Sequence, residues 1–257
     1  FLSDYLPYGI AIIFMTFIVR IVLAPILYKS YLSQAKMKIL KPELDEINLK
    51  FKDNAMKRQQ EMMSLYRKAG ASPMGGCIPG LMQIPVFFAL FLFFPSAFDL
   101  RQKSFLWADD LSAYDSIFDF GFYIPFYGDH ISLFPILAGV SIFFYMKMTT
   151  GQQAASQPQQ EGMPDMAKMM KYMIYISPLI LIIFFNNYSS GLSLYYFVSN
   201  TLSIGIMYTV KNFILDEQKI RNQIQFNKSQ PVKPPSRFQR RMQAIMEEAE
   251  KQKKNKR

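Results

Sequence analysis

The chain is poor in the residues that carry most enzyme chemistry. One cysteine (Cys77) excludes an internal disulfide, and one cysteine with one histidine (His130) cannot make a Cys/His metal site. There is no P-loop motif, no metal-ligating cluster and no defensible Ser/His/Asp arrangement. These absences predict a protein that is not an enzyme and needs no cofactor, with no DNA partner. Charge is missing too, over long stretches. Residues 69–98 contain no Asp, Glu, Lys or Arg, and neither do residues 172–210. A membrane span needs about 20 mostly apolar residues, so these gaps predict an integral membrane protein. The mean hydropathy of only +0.06 hides this segregation in a chain that is 51% hydrophobic. The first residue is Phe rather than Met, consistent with a fragment of a longer chain.

The pattern predicts an all-α, polytopic fold with five spans, at about 5–28, 77–98, 131–149, 169–187 and 192–213. The uncharged run 172–210 is too long for one helix and breaks at "NNYSSG" (186–191), whose Asn, Ser and Gly suit a tight turn. The third span is short for a hydrocarbon core of about 30 Å, a mismatch that local thinning can absorb. The connecting segments differ in charge. Segment 29–68 has ten Lys/Arg against five Asp/Glu, and the tail 211–257 has thirteen against five. Segment 99–130 has two Lys/Arg against six Asp. The positive-inside rule therefore places the N-terminus of this chain and loop 99–130 outside, and 29–76, 150–168 and the C-terminus inside.

The cytoplasmic segment 29–76 reads as a helical hairpin. Leu40, Leu44, Ile47 and Phe51 form one apolar stripe, Asp53-Asn54 suits the turn, and Ala55, Met62, Tyr66 and Ala69 form a second stripe capped by Gly70. Met37, Met56, Met62, Met63 and Met74 are many thioethers for one hairpin, as on adaptable contact surfaces; the plain alternative is a hairpin packed on itself. The loop 151–164 is Gln-rich. The basic cytoplasmic tail 214–257 holds a "PVKPP" linker (231–235), a short amphipathic helix marked by Phe238, Met242, Ile245 and Ala249, and the end "KQKKNKR". Anionic lipid and RNA phosphate are its natural partners, a solvated topogenic tail the plain alternative. On the outer side, Phe105, Leu106, Trp107 and Leu111 predict an interfacial amphipathic helix over 105–115, with Asp109, Asp110 and Asp115 wet; a packed lid is the other option.

One charge stands where none is expected. Arg20 sits inside the apolar run 5–28, where insertion scales put the cost at roughly 2.5–3.5 kcal/mol. Thr16 shares its helix face. Ser193, Tyr196, Asn200 and Ser203 make a polar stripe on the last span, and Gln83 adds an amide to the second. Each has a plain alternative: snorkelling for Arg20, interhelical hydrogen bonds for the rest. No acidic residue occurs in any span, so Arg20 has no counter-ion there. An arginine facing a wet groove would await an acidic visitor.

Four stretches now point to a family. "TFIVR" (16–20), "SPMGGCIPGLMQIPVFFALF" (72–91), "FLWADDLSAYD" (105–115) and "SGLSLYYFVSN" (190–200) resemble the YidC/Oxa/Alb membrane protein insertases. The resemblance covers roughly residues 5–213, with the basic hairpin in its family position. "NNYSSG" departs from the family's aromatic-Pro-Ser-Gly. The resemblance implies a five-helix insertase core enclosing a hydrophilic groove open to cytoplasm and lipid, in a bacterial inner membrane. By motif position the groove arginine is Arg20, its neighbour Thr16, the second-span amide Gln83 and the substrate-facing tyrosine Tyr196.

The expected function is that of an insertase and chaperone, moving short hydrophilic segments of nascent membrane proteins across the lipid bilayer and releasing apolar ones into it. The hairpin is implied to receive the nascent chain and the basic tail to approach the ribosome, with the Sec translocon a further candidate partner. A small-anion transporter using Arg20 is the alternative, though no inverted repeat is visible. A passive ribosome or membrane anchor is a second.

Overall fold

A computed structural model describes residues 6–52, 54–72, 78–153 and 166–230. Asp53, Met74, Cys77, most of the Gln-rich loop and the tail from 231 onward, with its linker and amphipathic helix, lie outside the described residues. The chain is mostly helical. Its elements are α1 (Tyr8–Lys50), α2 (Ala55–Ala69), α3 (Ile78–Ser96), β1 (Ser116–Ile124), β2 (Gly128–Ser132), α4 (Leu133–Gln153), α5 (Met166–Asn186), α6 (Ser190–Thr209), a π-helical turn (Val210–Ile214) and α7 (Glu217–Ser229).

The first apolar run and the first arm of the hairpin form a single helix. α1 continues for 43 residues through Pro25 and Pro42, because the joining stretch is built of Lys, Ser, Gln, Ala and Met with no glycine to stop it. Among the described residues α1 is the one helix long and apolar enough to cross a membrane by length and composition. Gly80–Ser96, Leu133–Thr149 and Lys171–Asn186 are shorter apolar helices.

The exterior is apolar, unlike that of a water-soluble fold, and part of the interior is polar. α1 presents Phe14, Phe17, Ile21 and Val22 outward, and α5 presents Tyr175, Ile176, Leu179 and Ile180, all at least 46% exposed. Inside lie Thr16, Arg20, Ser193, Ser199, Asn200 and Ser203, none more than 8% exposed. Apolar surface on this scale needs an apolar covering. Such an exterior suits lipid.

Three apolar clusters stack along α1. The first, at the N-terminal end of α1, gathers Ile12, Phe94, Leu111, Phe134, Phe185 and Tyr195. The second holds Leu27, Tyr31, Met207 and Val210. The third joins Met37, Leu40 and Leu44 of α1 to Met62, Tyr66 and Ala69 of α2 and Ile220 and Ile224 of α7. Met37 and Met62 are thus core residues of the hairpin. Asn54, expected in the turn, caps the start of α2, its Oδ1 accepting from Lys57 N at 2.9 Å, and Gly70 closes the end of α2 as expected, with φ 62°. α7 falls within the segment read as a basic tail; it is instead a packed helix, its start capped by Asp216.

The outer segment overturns one expectation. Residues 105–115 are not a helix but a compact loop, pinned by a Phe105/Ala108 bridge and by Asp110 Oδ1 accepting from Ser112 N and Oγ. These short-range side-chain bonds compete with helix formation. Asp115 is buried rather than wet. Its Oδ2 accepts from Trp107 Nε1 and from the backbone N–H of Leu133 and Phe134, the otherwise unpaired donors at the start of α4. Leu111 is fully buried, so this loop is a packed lid. After it, β1 and β2 form an antiparallel hairpin that extends outward with Phe118, Phe122, Tyr123 and Phe126 exposed.

The turn at 186–191 ties these parts together. The Asn186 side chain accepts from Ser132 N and donates to the carbonyls of Tyr127 and His130, all within 2.9 Å. Ser189 Oγ and Ser190 Oγ donate to Leu111 O and Asp110 O. At Gly191 a Cβ would meet Leu111 O at 2.8 Å, so the lid's approach requires glycine there.

Candidate functional site

Between the first and second apolar clusters lies a polar layer. α1 carries Arg20 into it from one side, and α6 carries Ser199 from the other. Arg20 Nε donates to Ser199 Oγ at 2.8 Å, and Nη2 donates to the same oxygen. Arg20 is 8% exposed and Ser199 fully buried. The guanidinium has no carboxylate partner among the described residues. Its neighbourhood is phenolic: the hydroxyls of Tyr31, Tyr145 and Tyr196 lie within its electrostatic reach. Gln83 and Tyr196 sit side by side, and Gln83 Nε2 and the Tyr196 hydroxyl are buried without a partner at hydrogen-bonding geometry among the described residues. Arg20 and Gln83 line one small cavity of about 10 Å³, room for about one water molecule.

The expected residues divide into two groups. Arg20, Gln83 and Tyr196 are brought together. Thr16, Ser193, Asn200 and Ser203 point inward and are buried, yet each returns its hydrogen bond to its own helix. Thr16 Oγ1 donates to Ile12 O at 2.7 Å, Asn200 Nδ2 to Tyr196 O at 2.7 Å and Ser203 Oγ to Ser199 O at 2.7 Å. Ser193 Oγ reaches Ser189 O only at 3.5 Å. Ser199 was missing from the sequence reading, although it stands three residues after Tyr196 and four before Ser203, on the same face. Tyr31 and Tyr145 were missed as well, because a tyrosine in an apolar run reads as core.

A buried arginine held by a serine of α6, in a mostly helical bundle with an apolar exterior, is the setting for comparison with known proteins. The sequence pattern of the family described as 60Kd inner membrane protein matches residues 1–218. The chain belongs to this YidC/Oxa1/Alb3 family. It is 46% identical over 242 residues to a Parabacteroides distasonis protein named membrane protein insertase YidC, covering 92% of the chain and 37% of that relative. A Porphyromonas gingivalis protein of the same name is 41% identical over 261 residues, covering 98% and 40%. One from Prosthecochloris aestuarii is 46% identical over 197 residues, covering 77% and 32%. The chain thus spans about two-fifths or less of the length of these relatives. Membership makes it a membrane protein of the insertase family and accounts for the apolar sheath.

Proposed function

We propose that this chain forms the membrane-embedded core of an insertase and chaperone for nascent membrane proteins. The observation that carries the reading is Arg20, a buried cation whose hydrogen bonds go to a neutral hydroxyl. The relatives' names support the same reading. On this view the polar layer is the inner end of a groove reached from the cytoplasm, to which Thr16, Ser193, Asn200 and Ser203 lend a polar wall. A short hydrophilic segment enters, its acidic groups meet Arg20 with Gln83 and Tyr196 alongside, and part of its desolvation cost is offset there. The adjoining apolar segment then passes into lipid, driven by burial at about 25 cal/mol per Å². A membrane potential adds about 2.3 kcal/mol per charge per 100 mV toward outward passage of acidic segments.

The five apolar helices serve as spans, with the lid and β-hairpin on the periplasmic side and the α1–α2–α7 unit in the cytoplasm of a bacterial inner membrane. Nascent membrane proteins are the substrates, the ribosome is the partner of the basic tail, and the Sec translocon is a further candidate partner. The test uses two substrates differing only in acidic residues of the translocated segment. Arg20→Ala should lower insertion of the acidic one by roughly tenfold or more, the scale of a hydrogen bond to a charged group. The other substrate should be spared. Arg20→Lys should keep much of the activity, since no bidentate partner fixes the guanidinium. Equal losses on both substrates, or none on either, would defeat the charge-attraction account. Anion flux through vesicles without insertion would favour a transporter.

A further inference from the structure

A second polar site lies at the cytoplasmic end of the bundle, next to the Arg20 layer, with which it shares Tyr31. A cavity of about 230 Å³ opens between α1, α4, the π-helical turn and α7, lined by Tyr31, Gln34, Lys38, Lys147, Lys211 and Glu217 among others. Its charge is unbalanced. Lys38 pairs with Glu217 at 3.1 Å, while Lys147 and Lys211 have no carboxylate partner among the described residues. Lys147 lies over the Phe143 ring, 5.8 Å from its centre. Tyr31 is only 4% exposed and lines the cavity, with its hydroxyl in reach of Tyr145 and Arg20. Gln34, 7% exposed, adds an amide whose bond to Ser30 is long, at 3.4 Å.

Position decides which anion fits. Lys147 and Lys211 are the first charges after the apolar runs of α4 and α6, so both stand where hydrocarbon gives way to headgroups. The widened turn 210–214, closed by Leu215 N donating to Val210 O at 2.8 Å, sets Lys211 at the cavity and Ile214 at a neighbouring one. That second space is an apolar crevice of about 690 Å³ between α1 (Ile21, Pro25) and α6 (Leu202, Ile206). A cationic cavity and an apolar crevice sharing one turn match the two halves of one molecule. We propose that the cavity binds the phosphate of an anionic phospholipid from the cytoplasmic leaflet, with an acyl chain in the crevice. Lysine ammoniums are common phosphate ligands. This site is independent of the proposed insertion step.

The test is native mass spectrometry of the whole protein released from equimolar phosphatidylglycerol and phosphatidylcholine. The wild type should retain phosphatidylglycerol preferentially. Lys147→Gln/Lys211→Gln should lose that preference by roughly 25-fold, the product of about 5-fold for each lysine at a headgroup surface. Lys147→Arg/Lys211→Arg should keep it, as should Lys52→Gln/Lys57→Gln, which removes equal charge elsewhere. Lys147→Gln alone and Lys211→Gln alone should each weaken the preference about 5-fold, separating the site from any misfolding of the double variant. Equal retention of the two lipids, an unchanged preference in Lys147→Gln/Lys211→Gln, or binding of inorganic phosphate with no lipid retained would overturn the proposal. So would loss of crosslinks to acidic nascent segments with lipid retention intact, which would make the cavity a vestibule for peptide.

Discussion

The attachment of α7 to the hairpin can be taken apart one residue at a time. Ile220 and Ile224 are 4% and 3% exposed, one turn apart, and fill the cluster between α1 and α2. Polar links flank them: Lys228 Nζ to both Glu43 carboxylate oxygens at 2.6 Å, Lys38 to Glu217 at 3.1 Å, and Asn227 Nδ2 to Ala69 O at 3.1 Å. Truncating either isoleucine to alanine removes three buried carbons, about 2.4 kcal/mol at roughly 0.8 kcal/mol per carbon before any cavity term. The half-exposed ion pairs are worth about 0.2–1 kcal/mol each. Apolar burial therefore dominates. A 13-residue helix is marginal in isolation, so release from the hairpin is release to exchange. Amide hydrogen exchange over 217–229 should accelerate by roughly 60-fold in Ile220→Ala or Ile224→Ala. The two are neighbours, so the double variant should fall short of additivity. Lys228→Met should accelerate exchange no more than about fivefold. If Lys228→Met opens α7 as widely as the isoleucine variants, or if those leave protection unchanged, the apolar account is wrong.

Two other sites make sharp tests. Asn186→Ala strands a buried N–H and two carbonyls at the joint between α5, α6 and the β-hairpin, and should cost about 3–5 kcal/mol, read as a fall in thermal unfolding temperature in detergent. Burial holds the Asp115 carboxyl above the usual carboxylate range, against the pull of its N–H donors. Its stabilising effect is therefore fullest below the ordinary pKa of about 3.9 and is lost as pH rises through the raised value. Trp107, the one tryptophan of the chain and a donor to Asp115, should report that titration by fluorescence above pH about 3.9, and Asp115→Asn should abolish it.

Much of this was legible from pattern alone, and the failures share a cause. Uncharged runs, the Asn54 and Gly70 caps and the 186–191 turn are local signals, set by residues within a few positions of one another. The loop 105–115 failed because its apolar residues suit a helix while Asp110 and Ser112 commit the backbone to a turn. β1 carries a readable signal, Phe118, Phe120, Phe122 and Ile124 at period two, set within an acidic loop. α7 has a weak one, two isoleucines four apart in a basic stretch, and acquires its meaning only from a groove 180 residues upstream in the chain. Arg20 was conspicuous because charge in an apolar run is rare. Its partner was not, because Ser199 among several serines gains significance only from the helix opposite.

That partner bears on how Arg20, in the role proposed for it, could be both buried and available. Serine and threonine hydroxyls on helices commonly fall back on the carbonyl four residues earlier. Thr201, Ser203 and Thr209 of α6 do so here, at 2.7–2.9 Å. Ser199 instead accepts from Arg20. An arriving carboxylate that took the guanidinium would leave Ser199 free to turn back to its own helix, as its neighbours have, with little polar group left unsatisfied. An acidic partner in its place would have made a tighter bundle and a poorer receptor: breaking a buried ion pair strands a charge, at about 3–5 kcal/mol. A neutral hydroxyl keeps Arg20 satisfied while the site is empty and can be exchanged at far lower cost, the balance expected of a transient contact in membrane insertion.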